Sequence, residues 1–306
     1  MNTTIDFISK RRMAVIVSSL LLIIAITSLL ARGLNLGLDF TGGTLVELGY
    51  PDSVELNPLR SALAEAGFAG ASVQHFGSTQ DVLIRLRPDD SQNNAELSER
   101  VLAAVNRSQA KATLRRIEFV GPQVGDELTE DGGLATLYAL LGVLIYVAWR
   151  FEWKFALGAV AALFHDVLIT LGVFSVTALE FDLTVLAAVL AVIGYSLNDT
   201  IVVFDRIREN FIKLRKTSPE ETINISLNET LSRTLMTSLT TLLVLVALAT
   251  LGGETIRYFA IALIIGIFIG TYSSIYVASP VTLALGIKHE DMLPPVKEGA
   301  DYDNLP

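Results

Sequence analysis

Six stretches of the chain are apolar for long enough to cross a membrane as helices. A helix needs about 20 apolar residues to span a hydrocarbon core of about 30 Å, and a β-barrel would show alternating segments of about 10 residues instead. The pattern therefore predicts an α-helical integral membrane protein with six transmembrane helices. The six predicted spans cover residues 13–31, 132–149, 155–179, 183–204, 234–251 and 256–285.

The first apolar run has a second interpretation as a cleaved signal peptide, because Lys10, Arg11 and Arg12 precede it. The apolar region of a signal peptide is usually about 7–15 residues long. The run at 13–31 is longer than that, so we expect a retained membrane anchor.

The long segment between helices 1 and 2, residues 33–131, has the pattern of a small folded domain. Strand-like and helix-like stretches follow one another in the order β-α-β-β-α-β. This order is typical of the ferredoxin-like arrangement, so we expect a small ferredoxin-like α+β domain outside the membrane. The predicted strands are 43–50, 71–76, 81–87 and 112–120, and the predicted helices are 57–68 and 95–107.

Lysine and arginine residues predict the orientation of the helices, because short cytoplasmic loops are enriched in them. They cluster before helix 1, between helices 2 and 3, and between helices 4 and 5, whereas the short loops on the other side hold almost none. Both termini are therefore expected in the cytoplasm and the 33–131 domain outside it. The predicted cytoplasmic parts are residues 1–12, an amphipathic segment at 205–233, and a tail at 286–306.

Composition agrees with a membrane protein and excludes several other classes. Hydrophobic residues make up 51% and charged residues 18% of the chain, against about 25% charged in soluble domains. So apolar a chain is not intrinsically disordered, and its net charge of −9 disfavours binding to nucleic acid. With no cysteine, it is not a disulfide-stabilised secreted domain.

The sequence contains no recognisable enzyme or metal signature. It has no GxxxxGK[ST] phosphate-binding loop, no convincing Ser/His/Asp arrangement, and only three widely separated histidines, His75, His165 and His289. We therefore expect neither an enzyme nor a metal site. Energy for any work would come from an ion gradient or from a partner protein.

Asp199 is the candidate functional residue in helix 4. An ionised aspartate at the centre of a membrane helix costs about 2.5–3.5 kcal/mol on insertion scales, so such groups usually line a polar interior or an ion pathway. The alternative is that Asp199 lies close enough to the cytoplasmic end to be wetted, since Asp205 follows soon after. We favour the functional interpretation.

Arg233 precedes the apolar part of helix 5 and heads a polar stripe formed by Thr234, Thr237, Ser238 and Thr241 at helical spacing. Such a stripe should face another helix or water. Arg233 is either a cation that extends to the membrane surface or the partner of Asp199. An arginine beside a carboxylate stabilises its charge, and withdrawal of the arginine favours protonation. Together the two residues would form a proton-coupled switch.

His165 and Asp166 in helix 3 are either a second polar contact in the pathway or a hydrogen-bonded pair that fixes helix packing. Gly266, Gly270 and Ser274 in helix 6 are spaced by four. That spacing is typical of close helix packing, and we assign these three residues a structural role.

Five motifs in a fixed order resemble the SecF family, the smaller subunits of the bacterial SecDF accessory complex of protein export. The run GYSLNDTIVVFDRIREN is the most specific part of this resemblance. The motifs are LNLGLDFTGGTLVE at 34–47, VGPQVGDEL at 120–128, AVIGYSLNDTIVVFDRIREN at 191–210, residues 232–241, and GTYSSIYVASP at 270–280.

The resemblance implies half of a resistance-nodulation-division transporter, with SecD supplying the other six helices as a heterodimer. In that family the Asp of the NDT run and the Arg that opens helix 5 are implicated in proton flow, and they correspond to Asp199 and Arg233. With Asn198, Thr200 and Thr237 they form the predicted proton pathway. No cofactor is implied beyond the proton gradient, with Na⁺ as the alternative ion.

The implied location is the bacterial inner membrane, with SecD and the SecYEG channel as partners and YajC and YidC as further candidates. Other contacts would be membrane lipid and an unfolded polypeptide that is pulled outward after ATP-driven SecA steps. Two alternatives remain open. One is a scaffold subunit without motor function, and the other is half of a solute exporter of the same superfamily. The exporter is disfavoured, because 33–131 is too short for the large pore and docking domains of such proteins.

Overall fold

A computed structural model describes residues 5–86, 94–108 and 111–292. Helix α1 (Arg11–Arg32) leads into a folded domain, which four long helices and a broken fifth one follow. The domain contains β1 (Gly43–Gly49), α2 (Leu56–Glu65), β2 (Ser72–Phe76), β3 (Ser78–Leu86), α3 (Asn94–Ser108) and β4 (Thr113–Val120). The later helices are α4 (Pro122–Arg150), α5 (Trp153–Thr177), α6 (Leu183–Lys213), α7 (Pro219–Leu251), α8 (Glu254–Ser273), a π-helical turn (Ser274–Ala278) and α9 (Ser279–Ala284).

The six predicted spans are confirmed, since six helical runs within the described residues are long and apolar enough to cross a membrane. Two helices begin earlier than their apolar runs. Helix α4 begins at Pro122, directly after Gly121, and α7 begins at Pro219 behind the cap residue Ser218. The Ser218 hydroxyl accepts a hydrogen bond from the Glu221 amide at 3.2 Å. Proline at the first position and a capping serine both favour helix initiation.

The segment predicted as an amphipathic cytoplasmic stretch, 205–233, is not a separate element. Its first part is the end of α6 and its last part is the beginning of α7. Asn210 joins the two helices there, because its Nδ2 donates to Ser226 Oγ at 3.0 Å and to Glu229 Oε2 at 2.8 Å. This contact joins the C-terminal part of α6 to the N-terminal part of α7, outside the apolar parts of both helices.

The domain contains its elements in the predicted β-α-β-β-α-β order. Its four antiparallel strands lie in the order β2-β3-β1-β4. Alternation along β1 sends Val46 and Leu48 to the face that α2 and α3 cover, and Leu45 to the other face. Period-two alternation of this kind is what a sheet with two different environments requires. The assignment to the ferredoxin-like class stays a prediction.

The domain contacts the loop between α5 and α6. Residues Asn35–Leu36 pair in parallel with Glu180–Phe181, and the Gly37 amide donates to the Phe181 carbonyl at 2.8 Å. Arg85 of β3 forms an ion pair with Glu180. Burial raises the pKa of Glu180, and the neighbouring Arg85 guanidinium lowers it by less than burial raises it. The contact therefore depends on the charge of one buried carboxyl group.

We expect the contact between the domain and the α5–α6 loop to weaken as the pH rises. A carboxyl group whose pKa is raised in the folded state stabilises that state while it is protonated, and this stabilisation is lost as the pH rises through the raised pKa. The protection factors of the 35–37 amides, which are exchange rates corrected for the intrinsic rate at each pH, should be higher at about pH 5 than at about pH 8. Glu180→Gln should abolish this pH dependence of the protection factors.

A second variant separates the ion pair from the protonation effect. Arg85→Met leaves the Glu180 carboxylate buried without its cation, which typically costs about 3 kcal/mol. Exchange of the 35–37 segment should therefore become faster at neutral pH, and the added Glu180→Gln change should reverse most of that effect. Equal exchange in wild type and Arg85→Met at neutral pH would contradict this account.

Candidate functional site in the membrane helices

Asp199 lies inside the protein although it belongs to a membrane helix. The side chain sits on the buried face of α6 and only 3% of the residue is exposed. At the N-terminus of α6, Asp182 caps the helix by accepting a hydrogen bond from the Val185 amide at 2.8 Å. Asp199 Oδ2 is buried and has no hydrogen-bond partner among the described residues. An unpaired buried polar atom of this kind is unusual and needs an explanation.

Two further buried oxygens on α6 and α7 also lack partners among the residues described. Thr234 of α7 is 2% exposed and its hydroxyl is unpaired. The Tyr195 hydroxyl is likewise unpaired, and Tyr195 precedes Asp199 by four residues, so both lie on one face of α6. These unsatisfied groups distinguish this part of the bundle from the ordinary interior.

Arg233 approaches Asp199 without forming a close ion pair. Arg233 lies on α7, which packs against α6. Within the described residues, however, no Arg233 nitrogen lies within 4.0 Å of an Asp199 carboxylate oxygen, and Arg233 is exposed. The structure therefore places the two groups on neighbouring helices and leaves them separated.

The remaining residues of the predicted pathway divide between two environments. Thr200 is buried, whereas Asn198 and Thr237 are exposed on the outer faces of α6 and α7. The Thr237 hydroxyl donates to carbonyls of its own helix, those of Arg233 at 3.1 Å and Thr234 at 2.9 Å. The polar stripe of α7 is thus split, with Thr234 buried and Thr237 outside.

His165 and Asp166 form a hydrogen-bonded pair at the centre of the bundle. His165 Nδ1 lies 2.8 Å from Asp166 Oδ1, and Asp166 is fully buried. Asp166 Oδ2 accepts from the Ser196 hydroxyl of α6 at 2.5 Å and from the Ser273 hydroxyl of α8 at 2.6 Å. Asp166 therefore joins three helices, and its contact on α6 is one turn before Asp199.

Small residues allow α6 and α8 to approach closely enough for these contacts. A Cβ atom at Gly266 would overlap the side chain of Val192, and one at Gly270 would lie 3.2 Å from Ser196 Cβ. The predicted packing role of Gly266 and Gly270 is confirmed by these contacts. Ser274, the third residue of that series, is fully buried in the π-helical turn.

Sequence reasoning missed Tyr195 and the serines that bond to Asp166. Tyr195 carries a usable signal, because it lies one helical turn before Asp199 inside the most specific motif. Ser196 and Ser273 carry no such signal. Their contact with Asp166 depends on how α5, α6 and α8 are rotated against each other, and helical spacing within one span does not reveal that rotation.

The fold and the site together define a multi-pass membrane protein with unsatisfied polar groups between its spans. Comparison with known proteins agrees with this class. The family model described as "Protein export membrane protein SecD/SecF, C-terminal" matches residues 100–288. A second model, the "SecD/SecF GG Motif", matches residues 27–50.

Relatives of similar length identify the family. The protein translocase subunit SecF of Vibrio alginolyticus is 52% identical over 99% of this chain and 97% of its own length. SecF of Pseudomonas aeruginosa is 51% identical, with 95% of each chain covered. The chain belongs to the SecF family of protein translocase subunits. It is therefore a multi-pass protein of the bacterial inner membrane, and its role is in transport rather than in catalysis.

Solved structures support the same assignment. The crystal structure of SecDF from Thermus thermophilus, a translocon-associated membrane protein, is 43% identical and matches with a TM-score of 0.84. SecDF in a super-membrane-facing form matches with a TM-score of 0.68. Each match covers 92% of this chain, which spans 38% and 39% of the respective SecDF chains. The fold thus corresponds to one part of a larger SecDF chain.

We expect Gly266→Ala to destabilise the bundle by about 1–3 kcal/mol, the usual cost of overpacking. The added methyl group would overlap the side chain of Val192, which is itself buried. Denaturation of the detergent-solubilised chain, followed by tryptophan fluorescence, measures the effect.

Two further variants serve as controls for this prediction. Gly142→Ala introduces a Cβ atom with nothing within 4 Å, and it should be neutral or stabilise α4 by up to about 1 kcal/mol. Combining Gly266→Ala with Val192→Ala should recover part of the lost stability. If Gly266→Ala and Gly142→Ala behaved alike, close packing of α6 on α8 would not be the constraint.

Proposed function

We propose that this chain uses the proton motive force, together with a SecD chain, to promote translocation of unfolded polypeptide across the inner membrane. In this scheme it acts after ATP-driven SecA steps at the SecYEG channel. The single observation that supports the proposal best is the buried Asp199 carboxyl group, whose Oδ2 has no partner among the described residues. Arg233 lies on the neighbouring helix and does not form a close ion pair with that group.

This geometry suits a carboxyl group that changes its charge during a cycle. A neutral Asp199 is compatible with an apolar environment, whereas an ionised one needs a cation close by. A small movement of α7 relative to α6 would bring Arg233 nearer or take it further away. Proton uptake and helix movement would then be two aspects of one transition.

The energy available is sufficient for such a transition. One elementary charge crossing 100 mV is worth about 2.3 kcal/mol, which shifts a two-state equilibrium by about 50-fold. The Asn35–Leu36 pairing with Glu180–Phe181 connects the domain to the loop that begins α6. Movement of α6 would therefore reach the domain through this contact.

The distribution of basic residues supports the proposed orientation. Arg150, Lys154 and Arg208 lie at the end of the bundle opposite the domain, and short cytoplasmic loops are enriched in such residues. We place this end and both termini in the cytoplasm and residues 33–131 in the periplasm. Proton flow down its gradient would then run from the domain side toward these basic residues.

The SecD partner would cover the outer face of α6. Ala187, Ala191, Gly194 and Asn198 recur at helical spacing on that face and are all exposed. Small residues in such a row allow another membrane helix to approach closely. Arg233 and Thr237 are also exposed, on the adjoining α7. YajC, YidC and membrane lipid are further proposed contacts of the assembled complex.

Asp199→Asn should abolish the gradient-dependent part of polypeptide translocation and leave the ATP-dependent part unchanged. The amide keeps the shape of the side chain but does not take up or release a proton near neutral pH. Translocation into inverted membrane vesicles, measured with and without an imposed gradient, separates the two parts. The variant should still assemble with SecD.

Glu209→Gln provides the matched control, because it makes the same chemical change on the same helix at an exposed position. It should respond to the gradient like the wild type. Undiminished stimulation in the Asp199→Asn variant would refute the proposed mechanism.

We propose H⁺ rather than Na⁺ as the coupling ion. Hard cations such as Ca²⁺ and Mg²⁺ generally take about six oxygen ligands, whereas the unpaired buried side-chain oxygens described on α6 and α7 are one carboxylate oxygen and two hydroxyls. A pH gradient imposed without sodium should stimulate translocation, and a sodium gradient at constant pH should not. The reverse result would assign the coupling to Na⁺.

A scaffold without motor function is the second candidate, favoured by the tight α6–α8 contact and the Asp166 hydrogen bonds that join three helices. As a scaffold, the chain would tolerate Asp199→Asn and Arg233→Met but not Gly266→Ala. The same vesicle assay therefore distinguishes the two functions.

A further inference from the structure

A continuous chain of hydrogen bonds runs from the His165–Asp166 pair to α1 and α8. His165 Nε2 lies 3.1 Å from the Ser18 hydroxyl of α1, and Ser18 Oγ lies 3.0 Å from the hydroxyl oxygen of Tyr272. The Tyr272 hydroxyl also lies 3.0 Å from the Ala14 carbonyl oxygen. His165 is 3% and Ser18 is 7% exposed, so the contact between these two side chains is made out of reach of bulk water.

The direction of each hydrogen bond follows from counting protons. A carbonyl oxygen only accepts, so Tyr272 donates its one hydroxyl proton to Ala14. The Tyr272 oxygen then accepts from Ser18, which uses the only proton of the Ser18 hydroxyl. The remaining contact of Ser18, with His165 Nε2, therefore requires a proton on Nε2.

This assignment leaves the other ring nitrogen facing a carboxylate. A neutral histidine with its proton on Nε2 has a lone pair on Nδ1, and Nδ1 lies 2.8 Å from Asp166 Oδ1. Two acceptors at that distance repel each other unless a proton lies between them. That proton belongs either to an imidazolium ring or to a protonated Asp166.

We infer that His165 and Asp166 form a second proton-binding site, in which the pair holds one shared proton and is neutral overall. The site extends the proposed function, which assigns only Asp199 as the proton carrier. An unpaired carboxylate at a membrane-helix centre costs about 2.5–3.5 kcal/mol, and the shared proton avoids that cost. Charge balance and proton counting lead to the same state.

The surroundings of the pair contain few other ionisable groups. Helix α1 contributes Ser18, and α8 contributes Tyr272 and Ser273, with Tyr276 packed on Tyr272 at 5.2 Å between ring centroids. Helix α6 contributes Ser196, and Asp199 follows one turn later. None of the described hydrogen bonds joins α4 to the pair. Asp199 is thus the next carboxyl group after Ser196 along α6.

Release of the shared proton would change the contacts of α6. It would leave Asp166 as a carboxylate against an unprotonated Nδ1, and the two would separate. Asp166 Oδ2 holds Ser196 of α6, so a displaced Asp166 would move the turn that precedes Asp199. Occupancy of the second site therefore controls the position of the first.

Nitrogen-15 NMR of histidine-labelled full-length chain in lipid nanodiscs tests the site directly. Protonated and unprotonated ring nitrogens have distinct shifts, and loss of a signal in His165→Gln assigns His165 among the three histidines. We expect a protonated Nε2. We further expect either a protonated Nδ1 with an ionised Asp166, or an unprotonated Nδ1 with a carboxylic acid band in the infrared spectrum. An unprotonated Nε2 beside an ionised Asp166 would overturn the inference.

Two serine variants provide a matched comparison on α1. Ser18→Ala removes the acceptor of the Nε2 proton, so the His165 signals should shift. Ser28→Ala removes a different α1–α5 hydrogen bond, the 2.8 Å contact with Ser175, and it should leave the His165 signals unchanged. Identical His165 signals in Ser18→Ala and wild type would contradict the proton count.

These measurements do not depend on translocation. If Asp199→Asn kept full gradient-dependent translocation while His165 showed the expected signals, the proposed function would fail and the second site would stand. If the gradient effect were lost but Nε2 proved unprotonated, only the second site would fail.

Discussion

A carboxylate buried between membrane helices must find its hydrogen bonds within the protein, because neither lipid nor bulk water supplies them. Asp166 meets this requirement with hydroxyls from α6 and α8 and with the imidazole of the preceding residue. Its geometry therefore fixes how three spans are rotated and how closely they approach. Gly266 and Gly270 belong to the same constraint, since larger residues there would hold Ser196 and Ser273 too far apart to share one carboxylate oxygen.

Asp199 differs from Asp166 in whether its carboxyl oxygens have hydrogen-bond partners. Both are buried carboxyl groups. Ser196, which lies one turn before Asp199 on α6, donates a hydrogen bond to the side chain of Asp166. Asp166 has a full set of partners, whereas Asp199 Oδ2 has none among the described residues. A satisfied group stabilises one arrangement. An unsatisfied group does not stabilise the present arrangement, so the protein gains free energy when a helix movement or a change of protonation gives that group a partner or removes its charge.

The apolar pattern was sufficient to predict the six spans and the order of the domain elements, because length and periodicity are local properties of the sequence. It placed the start of α4 too late, since a polar turn that begins with Pro122 precedes the apolar part of that helix. It treated the polar beginning of α7 as part of a separate amphipathic segment, whereas Ser218 caps a helix that continues into the span. Asp199 and Arg233 were identifiable as charges stranded among apolar residues. Their separation, and the link from Ser18 to His165, depend on helix rotation, so no single-span pattern predicts them.

In the proposed function, a partner covering the exposed row on α6 would complete the site. Asn198 is exposed next to the buried Asp199, and Arg233 is exposed on the adjoining helix. A polar amide and a guanidinium facing lipid would both be costly, so this surface is suited to a protein partner. The partner would then determine how far Arg233 lies from Asp199, and the state of that carboxyl group would be a property of the interface. Coupling between ion binding and movement would follow from this arrangement, because the same interface would both carry the charge and transmit the displacement.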